Sequence, residues 1–304
     1  MGEEKHLSSP TADSPTEGVD PSGTDFDRLD HEAQIAQLLS SQRHAVDAVC
    51  ALQASLALAA KAMITTLRQG TGRLIYAGAG CSIRIGVQDG VELVPTFGWP
   101  LARLGYLIAG GPVALSVSVE GAEDDRADAI AQVTELAINS QDVVIGVAAS
   151  GNTPFTCAAL SEAHSRGALT IAISSNPTGA LLQIADHALY TDTGAEVLAG
   201  STRLAAGTAQ KIVLNVLSTT AMTGLGRVLG NEMLCVQATN AKLKDRQVRI
   251  LTRQVPSLDS ESAVELLQST DWDLRCALLI AHGWTKDAAV EALRSDKLFR
   301  DLLG

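Results

Sequence analysis

The stretch Gly72-Arg73-Leu74-Ile75-Tyr76-Ala77-Gly78-Ala79-Gly80-Cys81-Ser82 decides the fold. Gly70 and Gly72 end a preceding helical pattern, and the apolar run Leu74 to Ala77 is short enough to be a buried strand. Beyond it, the glycines of Gly78 to Ser82 let the backbone approach a ligand, and Ser82 offers a hydroxyl near a helix start. The arrangement repeats downstream. Apolar runs at Leu104 to Ile108, Val143 to Ala148, Leu169 to Ser174 and Ala188 to Thr191 alternate with helical patterns, clearest at Ala127 to Ile138 and Pro154 to Ser165. Strands alternating with helices predict an α/β chain with a doubly wound parallel sheet.

Upstream, Leu29 to Leu67 carries apolar residues at three-four spacing, which predicts one or two long helices. Residues 1–28 read as a polar tail, because so little apolar surface cannot offset the entropy of ordering. On the other side, Ala205 to Leu225 predicts a long apolar helix, and a more polar helical pattern runs from Asn231 to about Gln254. Pro256 closes the main domain, residues 29–255. Residues 256–304 hold three amphipathic pieces, Ala263 to Gln268, Leu274 to His282 and Lys286 to Leu302, and predict a small three-helix module.

Composition narrows the function. The formal charge of −11 repels polyanions, so nucleic-acid binding is not expected. No apolar run reaches the roughly 18 residues of a membrane helix, and Met1 to Asp27 holds no apolar leader, so no membrane association and a cytoplasmic location are expected. Five cysteines stand far apart without a CxxC pair, and the six histidines are scattered, so neither disulfides nor a metal site is expected.

In an open parallel sheet, ligands bind beyond the carboxyl ends of the strands. At Gly78 to Ser82 the GxGxxG spacing of a dinucleotide site fails, because Ile83 stands where the last glycine belongs. The loop Ser150-Gly151-Asn152-Thr153-Pro154 offers two hydroxyls and free helix amides, an arrangement suited to an anion, the alternative being an ordinary N-cap. Ser174-Ser175-Asn176 and Gly200-Ser201-Thr202 add hydroxyls at two further strand ends, so a phosphate is expected; a Walker loop is absent. For acid–base work three glutamates stand among apolar neighbours in apparent loops: Glu92, Glu123 and Glu196. Apolar surroundings would raise a carboxyl pKa toward neutrality.

Four ordered segments carry a family resemblance: Gly72 to Gly80, Glu120 to Asp124, Ala148 to Pro154 and Gly207 to Lys211. Together they resemble the N-acetylmuramic acid 6-phosphate etherases of the sugar isomerase (SIS) superfamily. The likeness runs from about Thr16 to Val255, and the C-terminal helical module is like the family's own. It implies a five-stranded parallel sheet flanked by helices, a homodimer with sites near the subunit interface, and a phosphosugar substrate without metal or organic cofactor. The implied reaction eliminates D-lactate across C2 and C3 of the opened sugar and then adds water, giving N-acetylglucosamine 6-phosphate. On the family pattern Glu92 is the acid that assists the leaving lactate and Glu123 is the base, the two facing each other across the sugar. Ser150, Gly151, Asn152 and Thr153 match the phosphate cradle, with Gly80, Ser82, Ser201 and Thr202 as further contacts. Thr16-Glu17-Gly18 and Phe26-Asp27-Arg28 resemble the family's N-terminal motif, so the tail is expected to be ordered from about residue 16.

The sequence also departs from the pattern. Ile83 replaces a glycine and is expected to crowd the ligand, while Asn152 and Ala205 replace an arginine and a lysine and remove two cations. Asp20 and Gly23 replace Asn and Ser, and Cys235 replaces an aspartate. These changes keep open a non-catalytic sugar-phosphate sensor resembling glucokinase regulatory protein, or a phosphosugar isomerase. No helix-turn-helix with a basic face precedes the domain, so a transcription regulator is not expected.

Overall fold

A computed structural model of the chain describes residues 15–19, 25–68, 70–295 and 297–303. Five strands, β1 (Leu74–Gly78), β2 (Leu104–Ile108), β3 (Val143–Val147), β4 (Leu169–Ser174) and β5 (His187–Tyr190), form one parallel sheet in the order β2-β1-β3-β4-β5. Leu74 sits opposite Leu104 on one side and Val143 on the other, and Gly78 opposite Ile108 and Val147. Every residue of β1 and β3 is buried, as expected for central strands covered on both faces. The chain leaves β1 toward β2 and then returns to add β3, β4 and β5 on the other side. The strand order therefore reverses between β1 and β3, and the loops after those two strands frame the crevice where such sheets bind ligands.

Alternate strand residues feed two cores. Tyr76, Ile145 and Ile171 face α1 (His31–Cys50), α2 (Gln53–Arg68), α3 (Gly80–Phe97) and α7 (Ala205–Gly224). Ile75, Val144 and Ala172 face α4 (Arg126–Glu135), α5 (Pro154–Ser165) and α6 (Ala180–Ile184). The upstream periodicity resolves into two helices, with Asp30 capping α1 and a 61° bend between α1 and α2. Among the described residues no single helix is long and apolar enough to cross a membrane.

The segment around Glu92, expected to be a loop, is part of α3. Its two mid-helix glycines, Gly86 and Gly90, let the helix lie directly on β1 and β2. A Cβ at Gly90 would stand 2.6 Å from the Tyr106 hydroxyl, and one at Gly86 would stand 3.3 Å from the Tyr76 Cβ. Tertiary packing thus outweighs the cost of about 1 kcal/mol for a mid-helix glycine.

A second correction concerns residues 231–240. They are not helical: β6 (Val228–Leu229) and β7 (Glu232–Met233) form a hairpin, and α8 (Ala241–Gln254) starts only where the Asn240 side chain accepts the Leu243 N–H. Beyond Pro256 come α9 (Ser260–Ser269), α10 (Leu274–Ala281), α11 (Lys286–Ala292) and α12 (Phe299–Leu303), so the third expected piece divides in two. Asp259, Asp273 and Thr285 cap α9, α10 and α11. These helices share a third core with Leu234, Val236, Ile250 and Leu251.

Candidate active site

The loop after β3 has the geometry of an anion cradle. Gly151 adopts φ +68°, and a Cβ there would stand 2.6 Å from Ser174 Oγ and 2.8 Å from the Gly179 Cα, so only glycine lets the chain turn here. Asn152 braces the turn by accepting the Ala180 N–H at 2.9 Å, and Asn176 Nδ2 donates to the Ser150 carbonyl at 2.9 Å. Ser150 Oγ lies 3.5 Å from Thr153 Oγ1. Pro154 occupies the first turn of α5, and no side chain caps that helix. The ordinary N-cap reading therefore fails, and the amides of Phe155 and Thr156 stay open beside two hydroxyls, where the helix dipole favours negative charge.

The other hydroxyl-rich loops behave differently. Ser174 and Ser175 are fully buried, Ser174 Oγ donating to the Ala149 carbonyl and Ser175 Oγ pairing with Thr191 Oγ1 at 2.8 Å. Their expected part in phosphate binding is corrected: they hold the sheet's carboxyl edge together. Glu196 is corrected too. It is 1% exposed, and its carboxylate accepts the Ala205 and Ala206 N–H groups at 2.9 Å each, closing the amino end of α7. Ser201 and Thr202 precede that closed end, and the Gly200 N–H donates to the Thr16 carbonyl. The 3-10 turn Pro15–Glu17 thus rests on this loop; Asp20 and Gly23 lie outside the described residues.

The expected crowding by Ile83 meets a different placement of the side chain. It is fully buried against the sheet, without the positive φ that a glycine would have implied.

Gly80 and Glu123 line one cavity of about 330 Å³, together with Arg84 and the Ser118–Ala122 loop. Arg84 is fixed there by the carbonyls of Ala114 and Leu115. Glu123 sits in the 3-10 turn Ala122–Asp124, which packs against α5, so this carboxylate stands on the same edge as the open amides. Ser82 lies in the first turn of α3, half-buried.

Two family models match, the glucokinase regulatory protein N-terminal SIS domain over residues 55–164 and the SIS domain over residues 116–219. The chain is 45% identical to a Deinococcus radiodurans N-acetylmuramic acid 6-phosphate etherase over 87% of its own length and 86% of that protein's. A Rubrobacter xylanophilus protein of the same name is 44% identical over 83% of each chain, and one from Yersinia pestis 41% identical over 92% of this chain and 94% of the relative. The chain belongs to the N-acetylmuramic acid 6-phosphate etherase family.

In this member of the etherase family the two expected catalytic glutamates line different cavities of one chain. Glu92 and Gly80 are twelve residues apart on α3, about 18 Å at 1.5 Å per residue, and Gly80 lines the Glu123 cavity. Glu92 instead lines a hollow of about 240 Å³ with Asp89, Lys211 and Asn215. Both glutamates are exposed, so one chain does not supply the apolar enclosure expected around them.

Sequence reading missed the residues behind Glu92. Asp89, 6% exposed, accepts from the Tyr76 hydroxyl at 2.7 Å, Asn215 Nδ2 at 2.7 Å and Ser218 Oγ at 3.1 Å. Burial, reinforced by the Asp89 charge, pushes the Tyr76 phenol well above its ordinary value, so it remains a donor. Asn215 Oδ1 in turn accepts from Lys211 Nζ, which fixes an ammonium beside Glu92. The signal was available: Lys211 and Asn215 stand one turn apart on α7, on the face that meets α3. Among the described residues no group of three or more His, Cys, Asp or Glu is placed to hold a metal ion.

Proposed function

We propose that this chain is a carbon–oxygen lyase that cleaves the lactyl ether of N-acetylmuramic acid 6-phosphate, releasing D-lactate and N-acetylglucosamine 6-phosphate. The observation that carries the reading is the uncapped amino end of α5 at the sheet's switch point, in a chain 41–45% identical to proteins bearing that name. The sugar phosphate accepts from the α5 amides and the hydroxyls of Ser150 and Thr153, with Gly80, Gly151 and Asn152 shaping the wall. Ser82, Ser201 and Thr202 contact the sugar from neighbouring strand ends.

In the open-chain sugar the C1 aldehyde acidifies the C2 proton, which Glu123 removes. The C2–H electron pair becomes the C2–C3 double bond, and the C3–O pair departs with the lactyl oxygen, which Glu92 protonates. Water then adds at C3 while Glu92 takes its proton, and Glu123 returns a proton to C2. Both glutamates regain their starting states, and no external oxidant or reductant enters.

The placement of Glu92 and Glu123 in different cavities of one chain supports a homodimer in which Glu92 of one subunit meets Glu123 of the other. The surface beside Glu92 suits a second copy, since Val46 and Val216 are exposed there and line an apolar groove with Leu56 and Ile212. Association would also provide the missing enclosure. We assign the reaction to the cytoplasm, because a sugar phosphate carries a charge that does not cross a bilayer unaided.

The test is lactate release from N-acetylmuramic acid 6-phosphate in heavy-oxygen water. The expected result is D-lactate together with label at C3; no lactate from a protein that binds the phosphosugar overturns the reading. Glu92→Gln and Glu123→Gln should each lower kcat by about 10² to 10⁴. Mixing the two inactive variants in equal amounts should restore about a quarter of wild-type activity, because half the dimers are mixed and each mixed dimer has one intact site. The match to the glucokinase regulatory protein model favours a second reading, a sugar-phosphate sensor, which would release no lactate and bind equally well with Glu92→Gln.

A further inference from the structure

A cavity of about 230 Å³ opens where the C-terminal helices meet the sheet domain, and among the described residues Arg68, Arg103, Arg227, Arg275 and Lys297 all line it while no Asp or Glu does. In a chain of net charge −11 this is an unusual concentration of cations. Two carboxylates, Asp271 and Asp273, line the neighbouring hollow instead, and Asp273 is already paired with Arg275 at 2.9 Å. Cys235 adds no negative charge, because burial pushes its thiol up from its ordinary value.

The two central guanidiniums are held in place independently of any anion. Arg103 and Arg227 stack over the buried Trp99 ring at 4.2 and 5.2 Å. Arg103 donates to the carbonyls of Gly72 and Leu67, and Arg227 Nη1 to those of Phe97 and Gly98. A guanidinium has five N–H donors, so each keeps donors for another partner. Burial lowers the pKa of both from the ordinary arginine value, and for Arg103 the charge of Arg227 adds to the shift. A multivalent oxyanion would relieve that repulsion with charge-assisted hydrogen bonds.

We propose that this cavity is a second anion site, which binds a phosphate group and ties the C-terminal helices to the sheet domain. It is not the candidate catalytic cradle. Gly72 leads into β1 and Arg103 directly precedes β2, so the cavity lies at the amino edge of the sheet, with a five-residue strand of about 16 Å between it and the open end of α5. The inference does not depend on the lyase reading.

Calorimetry of inorganic phosphate and of N-acetylglucosamine 6-phosphate binding to the full chain tests it, alongside thermal midpoints. Ser150→Ala should weaken binding at the cradle and leave a second phosphate event intact. The double variant Arg68→Gln/Lys297→Gln, at two exposed positions, should weaken that second event at least tenfold and reduce the rise in midpoint that phosphate produces. In the Ser150→Ala protein, tighter binding of inorganic phosphate than of the sugar phosphate identifies the free ion as the source, and the reverse order identifies the sugar phosphate. The proposal is overturned if Ser150→Ala removes every phosphate event, if the double variant binds phosphate as wild type does, or if chloride at matched ionic strength raises the midpoint equally.

Discussion

The amino ends of α5 and α7 begin from similar sequence and finish differently. Each follows a parallel strand and a loop with glycine and hydroxyl residues, Ser150-Gly151-Asn152-Thr153 before one and Gly200-Ser201-Thr202 before the other. At α7 the buried Glu196 carboxylate takes the first two amides. At α5 no side chain does so. Orphan amides buried without a partner cost about 1 to 3 kcal/mol each, so a chain that closes one end and leaves the other open has a use for the open one. A hydroxyl-rich loop before a helix is therefore weak testimony to a phosphate site until the fate of the amides is known.

The largest expected effect of breaking this contrast falls on the closed end. Glu196→Ala leaves the Ala205 and Ala206 amides unpaired and should destabilise the fold by about 3 kcal/mol, read as a lowered denaturant midpoint. Phosphosugar affinity of the folded fraction should be little changed. A large loss of affinity with unchanged stability would instead place the phosphate at the amino end of α7. Next in size is Gly151→Ala, which forces a side chain into left-handed backbone and against Gly179. It should cost about 2 kcal/mol of stability and also weaken phosphate binding, since the Ser150 and Asn152 positions shift with the turn.

The same contrast shows which parts of the molecule were legible in sequence. The strands were, because Leu74 to Ala77 and Val143 to Ala148 are short apolar runs closed by turn residues. So was α5, where Pro154 marks the first turn. Helix α3 was hidden by Gly86 and Gly90, whose purpose is contact with Tyr76 and Tyr106, residues on other elements. The role of Glu196 was hidden likewise: the amides it caps lie nine and ten residues onward, and nothing local distinguishes it from Glu92 or Glu123. Residues 231–240 carry a helical pattern in sequence because composition does not separate a short hairpin from an exposed helix face. That Glu92 and Glu123 line separate cavities depends on α3 being one continuous helix, with Gly80 at its amino end beside Glu123 and Glu92 about three turns further on.

A smaller effect tests the open end directly. Ser150 Oγ accepts the Asn152 N–H at 3.3 Å and lies 3.5 Å from Thr153 Oγ1. Ser150→Ala should therefore leave stability within about 0.5 kcal/mol of wild type. Phosphosugar affinity should fall about tenfold, equivalent to 1.4 kcal/mol. An unchanged titration would mean that the hydroxyl serves the loop and not the ligand.

The smallest expected effect separates acid sensitivity of the fold from that of the cradle. No residue from Ser150 to Thr153 titrates, so low pH should act on the open end only through the ligand or through loss of the fold. One contribution to that loss comes from the opposite edge of the sheet, where Asp142, 1% exposed, accepts from the Arg73 N–H, from its guanidinium at 2.6 Å and from the Asn139 N–H. Burial alone would raise this carboxyl, but the hydrogen bonds and charge of Arg73 outweigh it and hold the pKa below the ordinary carboxylate range. A group with a depressed folded pKa binds fewer protons when folded than when unfolded. Its contribution is thus complete above the ordinary carboxylate range and is lost as pH falls through the lowered folded value. Denaturant unfolding followed from pH 6 downward should show stability falling, and Asp142→Asn should start lower and fall less steeply. At any pH where both proteins remain folded, the two should bind phosphosugar alike; weaker binding by Asp142→Asn under those conditions would show that the pinned edge and the open end are coupled through the sheet.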